Sequence, residues 1–524
     1  MSAPTGVGKS LIATTMAQYF GRSFVVTASK QLQDQYTKDF NFLKPVKGKT
    51  NFPCLQLMEH EGIKKNDFKS AMQRRLTCDK GLCEEIKQKR GKKVKEVCKF
   101  KPQINEFEES SSDNEWCHYY KQKYLALISN HSIWNYASYF QLMKFNKATY
   151  AEYINRPIAI FDEAHQIEEQ IIQFIGVDIY NKYLEECDIN VKNYDLTSID
   201  VIIKLLDDLA ESYARQIRDI KESNAFISNP NYPLITKLDN KYCRMANARV
   251  EILSDKDNFV INEPTTDENG NFRSISIKPL GISKYIESFF DINNRIFMSA
   301  TIDKESFCEN TGMEPSQVAF IDTPRSPFSL ESRKIAFLNI RKLSLAKSTP
   351  DDELSVIKKI DEILSKHHKQ RGLILTSSEK RCYEIKKYLS AINKNRIRIC
   401  HSMNENGKTQ DEILTEHSKD ENGVLLSSSL WEGVDLKDEL SRFQIIAKTP
   451  FPNLSEKRTK IKMKKFPLWY KSQTIMKLLQ GFGRSIRNDR DWAVTYVLDS
   501  AAIGLLNQSK SMVPKAYYDV LQWK

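Results

Sequence analysis

Short apolar runs alternate with amphipathic stretches along most of this chain. Residues 24–27, 157–161, 295–298, 372–376, 423–427, 443–447 and 492–498 are runs of four to seven mostly apolar residues. Residues 11–20, 31–40, 354–366, 380–392 and 475–482 read as helical between them. Apolar strands interleaved with helices predict parallel sheets covered on both faces. Two stretches break the rhythm. Residues 44–120 lack a clear strand pattern, and 172–285 have a helical period, with Ile202, Ile203, Leu205, Leu206 and Leu209 at 3–4 spacing and turns at 229–233 and 267–271. The expected fold class is α/β: two parallel-sheet domains, the first interrupted by two insertions. No repeat of 20–50 residues is visible.

Composition sharpens this picture without changing it. A length of 524 residues suggests three or four domains, and 40% apolar residues fit a folded globular chain. No apolar run is long enough to span a bilayer and no signal peptide opens the sequence, so the expectation is an intracellular protein, not secreted and not in a membrane. Its ten cysteines then read as thiols or ligands, not disulfides. The net charge of +12 is unevenly spread: residues 44–101 hold 17 Lys and Arg against 7 Asp and Glu. A concentrated basic segment suits a polyanion such as nucleic acid, although a solvated charged face has the same composition.

The chemistry starts at once. Ala3-Pro4-Thr5-Gly6-Val7-Gly8-Lys9-Ser10 reads as a phosphate-binding loop opening a helix. Small residues let backbone N–H groups close around a triphosphate. Lys9 places a charge on the β- and γ-phosphates, and the Ser10 hydroxyl can ligate Mg²⁺. The loop begins with Ala3, where the usual pattern has Gly. Asp162-Glu163-Ala164-His165 ends an apolar strand, where open α/β sheets bind ligands. Asp162 suits Mg²⁺, and Glu163 suits the orientation and deprotonation of attacking water. Ser299-Ala300-Thr301 follows the next strand and can relay the state of the phosphate site. Gln480, Arg484 and Arg487 fall at i, i+4 and i+7, a spacing that aims guanidinium groups at a γ-phosphate. Glu432 and Asp435 can couple to those arginines, while Ser427 and Ser428 suit a nucleic-acid backbone.

Together these strings resemble motifs I, II, III, V and VI, in order, of the XPD/DinG-like iron–sulfur DNA helicases of superfamily 2. Residues 442–452 also resemble the C-terminal motor domain of that family. Thr27-Ala28-Ser29-Lys30 resembles motif Ia, which implies DNA-backbone contacts for Thr27, Ser29 and Lys30. The resemblance implies two RecA-like motor domains. Motor domain 1 is expected at 1–43, 121–171 and 286–325, an iron–sulfur domain at 44–120, a helical arch at 172–285 and motor domain 2 at 326–524.

Five cysteines fall in the basic insertion: Cys54, Cys78, Cys83, Cys98 and Cys117. Four thiolates can hold a 4Fe–4S cluster or Zn²⁺. The gaps of 28, 14 and 18 residues between Cys54, Cys83, Cys98 and Cys117 decide little alone, and the paired CxxC of zinc sites is missing. The family carries a four-cysteine cluster here, and residues 51–54 and 117–120 look like its first and last ligands. The expected ligands are Cys54, Cys83, Cys98 and Cys117, with Cys78 as the spare and His118 as a possible substitute. Phe100, Trp116, Tyr119 and Tyr120 are candidates for stacking on bases, with core packing as the plainer reading.

The resemblance implies ATP-driven 5′→3′ translocation of a monomer on single-stranded or forked DNA, with unwinding; the sequence does not choose among DNA repair, DNA replication and recombination as the pathway served. An RNA helicase and a truncated, non-catalytic nucleic-acid-binding protein are the alternatives. The family's adenine-reading Q motif and first strand precede the phosphate loop and are absent here. The expectation is a first sheet without its central strand, with weak stability and poor ATPase that upstream sequence restores.

Overall fold

The computed structural model describes the chain apart from residues 5, 90–91, 105–106, 108–115, 224–229, 344–347, 402–406, 433, 435, 437, 487–489 and 522–524. It divides into two compact units. The first holds residues 12–297 with Glu456–Arg458; the second holds Met1–Leu11, Met298–Ser455 and Thr459–Lys524.

In the first unit the strands are β1 (Ser23–Thr27), β2 (Lys44–Val46), β3 (Glu84–Lys89), β4 (Lys92–Val97), β5 (His131–Asn135), β6 (Ile158–Phe161), β7 (Val177–Tyr180), β8 (Phe259–Ile261), β9 (Thr265–Thr266), β10 (Phe272–Pro279) and β11 (Asn294–Phe297). Five of them form a parallel sheet in the order β11-β6-β1-β5-β2. Every residue of β1 and β6 is buried, as a strand covered on both faces requires. Arg156 closes one end of this sheet, donating to the carbonyls of Asn130, Ala126, Leu127 and Ser129 and stacking on Phe24.

Lys44–Val46, expected in the basic insertion, joins this sheet beside β5. The insertion itself contains the antiparallel hairpin β3-β4, which its lysine-rich sequence conceals. The arch segment is built on two long helices, Ile199–Glu222 and Tyr232–Ser254, packed together as its period predicts. A small antiparallel sheet, β7-β10-β8, lies at their base.

The second unit holds β12 (Arg333–Arg341), β13 (Gly372–Leu375), β14 (Ile397–Ile399), β15 (Val424–Ser427), β16 (Phe443–Ile446) and β17 (Ala493–Asp499). They form a six-stranded parallel sheet in the order β12-β17-β16-β13-β15-β14, with an apolar core on each face. Before the phosphate loop, Ser2 makes isolated parallel bridges to Ser299 and Asp322, outside the named strands. Ala3 N–H donates to Ser299 O at 2.8 Å, and Ser2 N–H to Ile321 O at 2.8 Å. Among the described residues no helix is long and apolar enough to cross a membrane.

Candidate functional site

In the second unit, Gly6 and Val7 turn into the helix Lys9–Tyr19. Gly6 and Gly8 hold φ of +88° and +79°, a region that penalises any Cβ. At Gly6 space forbids one too, since it would lie 2.6 Å from Phe328 Cζ and 3.1 Å from Pro327 Cγ. Lys9 Nζ is folded back on the loop, donating to Ala3 O at 3.1 Å and Pro4 O at 3.4 Å. Val7 and Ser10 lie in the loop and the first turn as expected; Thr5 lies outside the described residues.

Asp162 and Glu163 follow β6 in the first unit. Asp162 is 3% exposed, and its carboxylate accepts from Tyr36 OH at 2.8 Å and from the Glu163 N–H at 2.9 Å. Tyr136 OH donates to the Asp162 carbonyl at 3.0 Å. Glu163 takes φ +53°, a left-handed conformation unusual for a side-chain-bearing residue, and its carboxylate lies 3.3 Å from His165 Nδ1. Of the partners of the pair, His165 stood in the sequence motif without an assigned role, while Tyr36 and Tyr136 were not singled out from sequence. Nothing in the chain relates Tyr36 to an aspartate 126 residues away.

Gln480 lies near the end of the helix Pro467–Phe482. Gln444 on β16 fixes that end by donating to Phe482 O at 2.9 Å. Arg484 donates to Val434 O at 2.8 Å. Gly481 sits against Trp431, whose indole donates to Thr376 O at 3.1 Å. Pro4 of the phosphate loop, Phe328, Phe482, Gly483 and Ile486 line one mostly apolar pocket, so the second unit brings the loop beside the arginine-bearing segment. Glu432 is half-buried, while Asp435 and Arg487 lie outside the described residues. Ser299 and Thr301 are fully buried.

Two of the expected DNA contacts have other duties. Ser427 is buried, its hydroxyl donating to Cys400 O at 2.6 Å and accepting from Ser429 and Leu430 N–H. Thr27 is also buried. Ser29 caps the helix Lys30–Asp39 by accepting from Leu32 N–H, and it is exposed, as is Lys30. Ser428 is half-buried.

All five cysteines of the insertion line a single small cavity, together with Phe100, Lys101 and Tyr120. Backbone bonds hold them as two couples and a single. Cys54 and Cys78 flank the Pro53–Thr77 bridge, with Cys78 N–H donating to Phe52 O and Cys54 N–H to Leu76 O. Cys98 N–H donates to Cys83 O at the foot of the β3-β4 hairpin. Cys117 stands alone, its N–H on Phe100 O, at the head of the helix His118–Ile128. The Cys78 thiol draws Cys117 down to about 7 and lowers Cys54 as well. Burial raises Cys83 and pushes Cys98 up to about 11. Phe100 and Tyr120 are buried with Lys65 and Lys101 over their rings, so packing around the cavity, not base stacking, is their role. Among the described residues no group of three or more His, Cys, Asp or Glu is arranged around a single metal ion. The cysteines ring a space, not a point, and an all-thiol donor set suits soft metals and iron–sulfur clusters.

Two family models match parts of the chain. Residues 31–184 match the DEAD_2 family model, and residues 361–516 match the model of a helicase C-terminal domain. The ATP-dependent DNA helicase YoaA of Haemophilus influenzae is 22% identical over 588 residues, spanning 96% of this chain and 88% of its own. A solved XPD helicase superposes with a TM-score of 0.57 at 15% identity, covering 98% of this chain and 93% of that one. An apo XPD structure gives 0.57 at 13% identity, covering 98% and 94%. At such identity these two structures speak for the fold alone.

Proposed function

The chain belongs to the XPD/DinG-like superfamily 2 helicases and is an ATP-dependent helicase; we propose that it translocates 5′→3′ on single-stranded DNA and splits duplex as it moves. The observation that carries the ATPase part is the turn after β6. Two tyrosines hold Asp162, and Glu163 next to it takes a left-handed backbone conformation. Lys9 neutralises the β- and γ-phosphates. Ser10 and Asp162 are each suited to ligate Mg²⁺, which would supply further positive charge at the phosphates when bound. Glu163 orients water and takes its proton, with His165 setting the carboxylate's direction. Gln480, Arg484 and Arg487, with Glu432 and Asp435 coupled to them, stabilise charge on the transferred phosphoryl. Thr5, Gly6, Val7 and Gly8 complete the cradle.

In this reading the polymer is gripped by the exposed Ser29 and Lys30, by Ser428 and by the basic insertion. Thr27 and Ser427 shape the turns that present them. Cys54, Cys83, Cys98 and Cys117 hold a 4Fe–4S cluster that staples an insertion of little apolar core; zinc is the alternative. The insertions 44–120 and 172–285 act as cluster domain and arch, and 326–524 as the second motor.

The test is steady-state ATPase with and without single-stranded DNA, and with RNA of equal length, on the chain and on Glu163→Gln. DNA-stimulated turnover that Glu163→Gln abolishes is expected. RNA stimulation exceeding that of DNA moves the assignment to an RNA helicase. No turnover in a folded, DNA-binding chain overturns the motor assignment.

A further inference from the structure

One helix of the chain shows solvent nothing but lysine. We propose that the exposed face of the helix Lys457–Lys465 is a docking surface for the sugar–phosphate backbone of the nucleic-acid strand, with Lys460, Lys464 and Lys465 as its contacts. The inference rests on the polymer reading above and gives that polymer a site in the second unit.

The nine residues of this helix, KRTKIKMKK, hold six cations and no acid. Burial sorts them by face. Arg458, Thr459 and Lys462 are buried, Ile461 and Met463 are half-buried, and the exposed residues are Lys457, Lys460, Lys464 and Lys465. The last three belong to the second unit. Lys462 anchors the buried side: it is 1% exposed, donates to Asn310 Oδ1 at 2.7 Å, and holds its ammonium 4.8 Å from the centre of the Trp469 ring. With that side fixed, Lys460 and Lys464 stand one turn apart on the opposite side. Among the described residues, none of the Lys460, Lys464 and Lys465 ammonium groups is ion-paired.

The helix Pro350–Lys366 of the same unit shows the ordinary arrangement, with Lys358, Lys359 and Lys366 set among Asp351, Asp352, Glu353, Asp361 and Glu362. Mixed signs support a helix through pairs three and four residues apart. In Lys457–Lys465 every such pair of charges repels. Lys457, Arg458 and Lys460 also crowd the first turn, where the helix dipole is already positive. Both effects work against the helix alone, and an anion laid along it turns both to its favour. The spacing suits a nucleic-acid strand. Lys460 to Lys465 covers about 7.5 Å of helix, a length in which one strand presents about two to three phosphates. An acidic protein surface offers no such fixed repeat. Lysine meets phosphate as a point charge on a flexible stem and reads no base. The contact is therefore the same at every step of a moving strand.

The experiment measures binding of the full chain to a fluorescent oligothymidine by anisotropy, at salt concentrations from about 50 to 200 mM. The chain is compared with a triple variant, Lys460→Gln, Lys464→Gln and Lys465→Gln, and with the same three positions changed to Arg. A control triple, Lys358→Gln, Lys366→Gln and Lys369→Gln, removes equal charge from exposed lysines elsewhere in the unit. Each phosphate contact on a single strand contributes about 0.7 to the slope of log K against log salt. The Gln triple is expected to flatten that slope by about 2, so that the affinity gap to the parent shrinks about 20-fold across the range. The Arg triple and the control keep the parent slope. Single Lys→Gln variants flatten it by about 0.7 each, which gives the same answer if the triple does not fold. A Gln-triple slope equal to that of the parent, or an equal loss in the control, overturns the proposal. Polyglutamate that competes for these lysines as well as DNA of equal charge makes the occupant an acidic protein segment and overturns it too. A parent that binds no oligonucleotide at the lowest salt overturns the polymer reading itself, a failure seen before any variant is compared.

Discussion

Glu456–Arg458 belongs to the first unit although the chain on both sides belongs to the second, and one buried ion pair fastens it there. Arg458 Nη2 donates to Glu168 Oε1 at 2.7 Å, with both side chains 7% exposed. The guanidinium also donates to Pro279 O at 2.7 Å and Leu280 O at 3.2 Å. Asn262 clamps the flanks, accepting from Arg458 N–H and donating to Glu456. The attraction across 2.7 Å is about 6 kcal/mol at an effective dielectric near 20, and desolvation of both ions offsets most of it. Breaking such a pair from one side costs about 3–5 kcal/mol, because a buried charge is left alone. Glu168→Gln should cost about 3 kcal/mol, the low end, since the amide oxygen still accepts. Arg458→Met should cost about 4 kcal/mol, leaving Glu168 without a counter-ion. Together, Glu168→Leu and Arg458→Met should return to within about 1 kcal/mol of the parent, because two apolar side chains replace two desolvated ions. The assay is a double-mutant cycle in urea on Glu168→Leu, Arg458→Met and their combination, with Glu168→Gln measured beside it and hydrogen exchange read on residues 167–175 and 259–282 so that opening of the first unit is seen by itself. Costs that simply add, or a Glu168→Gln cost below about 1 kcal/mol, refute the reasoning.

Three further outcomes follow from the same structure. Lys9→Ala should abolish ATPase with the unfolding transition unchanged; a variant that keeps turnover removes the role assigned to the loop. Gly481→Ala would place a methyl 2.9 Å from Trp431 Cζ3, and about 1–3 kcal/mol of overpacking should outweigh about 1 kcal/mol of helix propensity gained. A higher urea midpoint for Gly481→Ala would show that Trp431 yields easily. His367 and His417 are held neutral by burial, with folded pKa values below the ordinary range. Below about pH 6.5 the unfolded chain binds the proton that the folded one refuses, so stability should fall with pH by up to about 1.4 kcal/mol per unit per histidine. Unfolding of the second unit measured between pH 7.5 and 5 should show that slope, and His417→Gln should flatten it.

The parallel strands were legible where burial on both faces makes the sequence continuously apolar, as in β1, β6, β13, β15 and β16. β12 was not, because it is an edge strand whose residues are mostly half-exposed and interrupted by charge. β2 is three residues at the start of a basic segment, too short for any period. The motor residues could be read because phosphate chemistry restricts both residue type and spacing. Their supports could not, since Tyr36 and Tyr136 meet Asp162 only through the sheet order. The cysteines announced themselves singly. That Cys78 enters the same cavity depends on the Pro53–Thr77 bridge, which has no sequence signature. Ser427 shows the opposite error: a hydroxyl after a strand was read as facing a polymer, and the fold uses it to close a turn.

Lys9 bonds back to two carbonyls of its own loop, across the turn in which Gly6 and Gly8 take positive φ. The side chain that reads as a charge for phosphate is thus also a tie within the turn. One residue both shapes the loop and supplies its cation, so the geometry and the charge of the loop cannot be varied independently at this position.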